Sequence, residues 1–156
     1  MTSHQPASAG AGRPPIQLVA TVVAVVFLLV GMLGFVPGIV TDHDDLKIAG
    51  HESRAELLGL FQVSVLHNVV HLLFGVAGLA LARSVGGARA FLVGGGLVYA
   101  VLWVYGLVIE HDSDANFVPL NAADNWLHLG LAAGMVALGL MLAPQRQPDA
   151  APPTNA

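Results

Sequence analysis

Three histidines lie within apolar stretches of this chain. His67 and His71 share one stretch and His128 lies in another; His71 and His128 each close an Asn-x-x-His-Leu phrase, Asn68 to Leu72 and Asn125 to Leu129. An ionisable side chain in apolar surroundings is costly, which makes it a functional-site hypothesis by default. His67 and His71, at i and i+4, share a helix face, and His128 from a second helix would bring a third nitrogen to Zn, Cu or Fe. Haem fits this set less well, because bis-histidine ligation takes one residue from each side of the ring and leaves one over. The structural alternative is that His and Asn lock helices in register through interhelical hydrogen bonds of about 0.6 to 2 kcal/mol each. A proton path is a third reading, weakened because no acidic residue is placed to continue it through the opposite half of the helices. An accessory subunit, docked on a larger membrane assembly, is compatible with the structural reading.

A second set lies outside the apolar stretches. Asp42, His43 and Asp44, with His111 and Asp112, combine imidazole and carboxylate and form a candidate weak cation site. Such runs more often serve as a solvated face. Cysteine is absent, which removes thiolate ligands, redox thiols and disulfides. No nucleophile elbow, phosphate loop or dinucleotide fingerprint occurs, and His51-Glu52 lacks the second histidine of a zinc-protease helix. The expectation is therefore a protein that is not an enzyme, with no cofactor or at most a metal ion or haem. A net charge of −4 with a few scattered arginines gives nucleic acid nothing to bind.

The elements that must position these residues follow from composition. With 55% hydrophobic and 10% charged residues, the chain cannot cover a globule with polar surface. Four apolar runs, 18–36, 57–82, 90–109 and 126–143, each reach membrane-spanning length and lack period-2 alternation, so helices are expected. The first run, preceded by Arg13, is longer than a secretory h-region and no Ala-x-Ala site follows it; it reads as a retained helix. The fold class is all-α, a four-transmembrane-helix bundle spanning 16–143, flanked by tails 1–15 and 144–156 whose Pro, Ala, Gly, Ser and Gln content reads as disordered. Arg13, Arg83, Arg89 and Arg146 fall in the tails and the middle connection, which predicts cytoplasmic termini in a plasma membrane. The other two connections are acidic.

On the second helix Ser64, His67, His71, Gly75, Gly78 and Ala82 recur every three or four residues, a polar and small stripe that should face protein. The fourth helix offers Asn121, Asn125, His128 and Ala132 on one side and Gly130 with Gly134 on another. These Gly-rich faces are candidates for self-association or for other membrane proteins. Counting back from the cytoplasmic ends at about 20 residues per span puts all three histidines in the outer half. The sequence thus predicts an outward polar pocket of His67, Asn68, His71, Asn125 and His128, with Glu110 at its rim. The repeated phrase, together with Ala80 and Leu81 against Ala137 and Leu138, and Phe-Val-Pro at 35–37 and 117–119, suggests two parallel helix-loop-helix repeats.

Gly34-Phe35-Val36-Pro37-Gly38, Val63 through Leu72, and Asn121 through His128 resemble the bacterial membrane family called domain of unknown function 4383, over roughly Leu18 to Ala143. That resemblance implies a small four-helix membrane protein of high-GC Gram-positive bacteria and no particular chemistry. The expectation is a structural or accessory membrane protein, with a metal- or haem-binding redox protein using His67, His71 and His128 as the alternative.

Overall fold

The computed structural model describes residues 12–142; of the tails expected to be disordered, 1–15 and 144–156, all but 12–15 lie outside the described residues, and Pro15 already belongs to the first helix. Four helices, α1 (Pro15–Leu33), α2 (Val65–Leu81), α3 (Val85–Val108) and α4 (Ala122–Met141), carry most of the chain. Three short strands, β1 (Val40–Thr41), β2 (Glu56–Leu57) and β3 (Phe61–Gln62), form an antiparallel sheet in the connection between α1 and α2. That sheet corrects the purely helical expectation.

The helix boundaries have local causes. Proline at the first position opens α1, where its missing N–H costs nothing. The second helix begins at Val65 rather than at Leu57. Leu58 and Gly59 take left-handed backbone angles (φ 57° and 66°), turning the apolar stretch into the β2–β3 hairpin, with Leu57 opposite Phe61. Ser64 then caps α2 by accepting from the His67 N–H at 3.1 Å. Ser84 does the same for α3 from Gly87 at 3.0 Å, so α3 starts at Val85, ahead of the expected 90. Asn121 and Asp124 form a reciprocal capping box that starts α4 at Ala122, ahead of the expected 126.

Helix α1 packs mainly on α2, and α3 on α4, while α1 and α3 also meet at the centre. There Phe27 of α1 stacks on Tyr99 of α3, with centroids 5.6 Å apart and planes 14° from parallel. The two pairs use equivalent contacts. Phe27 touches His71 (5.5 Å between ring centroids), and Tyr99 touches His128 (5.1 Å). Gly34 lies under the Asn68 carboxamide, and Gly106 under that of Asn125. A β-carbon on Gly75 would lie 2.8 Å from the Ala24 carbonyl oxygen, and one on Gly96 would lie 3.0 Å from that of Ala132. One common interval separates Ala24, Phe27 and Gly34 from Gly96, Tyr99 and Gly106; a second separates Asn68, His71 and Gly75 from Asn125, His128 and Ala132.

Away from these contacts the helices are apolar and exposed, as at Leu29 on α1, Leu73 and Val76 on α2, Val101 and Leu107 on α3, and Leu140 on α4. Two of them, α1 and α3, are long and apolar enough to cross a membrane.

Candidate functional site

The i, i+4 spacing of α2 brings His67 and His71 together as a stack, with centroids 4.4 Å apart and planes 4° from parallel. His71 Nδ1 lies 3.0 Å from the carbonyl oxygen of His67. A carbonyl only accepts, so Nδ1 carries the hydrogen and the neutral ring presents Nε2 as an acceptor. His128 reaches the same region from α4. All three imidazoles line a cavity of about 120 Å³. Val30, Leu127 and Leu131 form apolar walls, and Leu57, Leu58 and Phe61 of the hairpin contribute the side nearest the loops.

The two asparagines do not line this cavity. Asn68 is fully buried and donates through Nδ2 to the Gly34 carbonyl at 2.7 Å, and Asn125 packs against Gly106. Glu110 is exposed beyond the end of α3 and is not part of the lining, so the expected rim residue is corrected. Four buried atoms of the layer, His67 Nδ1, His128 Nδ1, Asn68 Oδ1 and Asn125 Oδ1, have no hydrogen-bond partner among the described residues.

Metal chemistry at the three histidines is constrained by the stack. An imidazole lone pair lies in the ring plane, so parallel rings of His67 and His71 cannot both aim at one ion. Among the described residues no three His, Asp or Glu side chains are grouped to hold a metal. The outer set is likewise dispersed. Asp42, His43 and Asp44 line an open depression with Pro37 and Asp45, whereas His111 donates from Nε2 to the Gly106 carbonyl at 3.1 Å and Asp112 is exposed. His111 thereby serves the last turn of α3.

Asp124 is a site residue that the sequence reading did not single out. It lines the cavity, lies 1% exposed, and its Oδ2 accepts from the backbone N–H of both Gln62 and Asn121 at 3.0 Å. It precedes the apolar run that opens at Trp126. Burial pushes its carboxyl up to about 7, against the pull of these two donors, and Glu56 nearby adds to the rise. The signal was the Asn-x-x-Asp pattern of a capping box. Around it, Asn121 Nδ2 donates to the Leu60 carbonyl, and the Gln62 side chain donates to the Ser53 carbonyl at 2.7 Å. The hairpin is thus tied to the start of α4.

Fold and site together define a small helical protein, two of whose helices suit a membrane, with a buried layer of histidine and asparagine beneath a looped cap. The chain belongs to the family described as Domain of unknown function (DUF4383), whose family model matches residues 17–141. No curated protein and no solved structure matches it.

Proposed function

We propose that the chain is an integral protein of a bacterial plasma membrane, crossing it four times with both termini in the cytoplasm, and that it serves as a structural or accessory component. The exposed apolar faces of all four helices support the crossings. Helix α2, with 17 residues, is about 25 Å long, and the hairpin beside its outer end shields the remaining depth. Arg13, Arg83 and Arg89 at one end, with the acidic residues of segments 42–56 and 110–124 at the other, support the orientation.

The observation that carries the structural reading is the direction of the polar contacts. Asn68 bonds across to the end of α1 and Asn125 seats on α3, so the asparagines hold helices to one another, while the His71 bond stays within its own helix rather than being turned to a ligand. The cavity accommodates a few waters at about 30 Å³ each, which would complete the imidazole hydrogen bonds. Partners are the bilayer and other membrane proteins, or a second copy, through the open face of Gly130 and Gly134, where an added methyl would meet no atom within 4 Å.

The test is elemental analysis and a visible spectrum of the purified protein without a histidine tag, beside His71→Leu. The structural reading expects no stoichiometric metal, no Soret band and a lower folded yield for the variant. Bound metal that disappears from a normally folded His71→Leu protein would establish the redox alternative.

A further inference from the structure

At the end of the bundle opposite the histidines, α1 and α2 flank a second, open cavity of about 360 Å³, lined by Arg13, Gln17, Thr21, Leu79, Ala82 and Arg83. Its neutral polar groups are used in building the walls. Gln17 donates from Nε2 to the Ala82 carbonyl at 3.0 Å, closing the end of α2 onto α1, and the Thr21 hydroxyl donates to the Gln17 carbonyl at 2.7 Å. Among the described residues the two arginines make no such bond. Every acidic residue among those described lies between Asp42 and Asp124, in the connections and first turn at the other end, so no carboxylate of this set can neutralise them.

The fold does not require the arginines either. At the intervals that relate the two helix pairs, Val85 stands in the place of Arg13 and Leu140 in the place of Arg83, while Arg89 replaces Gln17. The second pair closes without a paired cation site. Two guanidinium groups brought from separate segments to one cavity match an oxyanion, since each presents a planar fork of N–H donors to phosphate oxygens. Leu79 lines the same cavity, and Leu18, Val22 and Val76 lie exposed farther along the same two helices. An acyl chain would cover that apolar surface, and free phosphate would leave it bare.

We infer that the Arg13–Arg83 cavity binds the phosphate of an anionic phospholipid in the cytoplasmic leaflet. The inference rests on the membrane reading above. Basic pockets between membrane helices on the cytoplasmic side suit such headgroups, and each arginine near an anionic surface contributes about a fivefold change in affinity.

The full chain in detergent is titrated with phosphatidylglycerol, phosphatidylcholine and inorganic phosphate, and bound molecules are counted by native mass spectrometry. Preference for phosphatidylglycerol is expected, weakened about fivefold by Arg13→Gln and by Arg83→Gln and left intact by Arg89→Gln. Equal binding of the two lipids, or no response to the cavity variants, overturns the inference. Arginine-dependent binding of inorganic phosphate with no lipid preference overturns the lipid assignment in favour of a soluble phosphate compound. Orientation is read separately from Gly86→Cys, which introduces the chain's one thiol at an open position. If an impermeant maleimide labels it in intact cells, the cytoplasmic placement fails while the lipid titration still stands on its own.

Discussion

Asn68 donates its side-chain N–H to the backbone carbonyl of Gly34 across 2.7 Å, and the absence of a β-carbon on Gly34 is what lets the carboxamide reach it. The contact joins the last turn of α1 to the first turns of α2, after a connection of some thirty residues that includes the whole sheet. Gly106 and Asn125 repeat the seat in the other pair.

Gly34→Ala should therefore collide with the Asn68 carboxamide, and Asn68→Ala should relieve that collision. Each single change is expected to cost about 1 to 2 kcal/mol, and the double variant less than their sum. Unfolding in a detergent series measures all three; strictly additive losses would show that the two residues do not act as a unit.

His71→Phe preserves the ring that meets Phe27 but removes the Nδ1 donor to His67. A loss of about 1 kcal/mol is expected, with folded yield retained, whereas His71→Leu loses the ring as well and falls further. Thermal unfolding of both variants separates the hydrogen bond from the packing.

Asp124 makes a pH prediction. Its folded pKa of about 7 lies above the ordinary 3.8, so the folded protein holds the proton more tightly than the unfolded chain does. Its contribution is greatest at acid pH and is lost as pH rises through that window. Asp124→Asn keeps an acceptor for the Gln62 and Asn121 N–H groups without the titration. Wild type should lose stability relative to the variant between about pH 4 and pH 7, and the difference isolates Asp124 from the histidines nearby. A constant difference across that range would place the carboxyl in its usual state.

Gly134→Ile fills an open helix face without touching the bundle interior. If this face serves a second copy, sedimentation in detergent should shift to a smaller species with folded yield unchanged. An unchanged species would direct the search for a partner to another face.

Much of this molecule was legible in its residues. The four helices follow from run length and composition, and the pairing of Asn68-His71 with Asn125-His128 follows from a repeated phrase, because both signals are local in the chain. The motif residues also identified the family correctly. The hairpin inside the stretch read as the start of helix two was not legible, since Leu57 through Gln62 is as apolar as a helix and only the left-handed turn at Leu58 and Gly59 separates the readings.

By itself, the sequence determined which side chains are polar within apolar helices, where the charges lie, and which two segments repeat. Only the tertiary structure decided what those side chains face. Periodicity places His67, Asn68 and His71 within one turn, but whether they converge on a ligand depends on ring orientation and on the neighbouring backbone. The spacing along α2 brings His67 and His71 side by side, but the parallel set of their rings is not encoded in it, and the glycine seats under the asparagines arise from contacts between segments far apart in the chain.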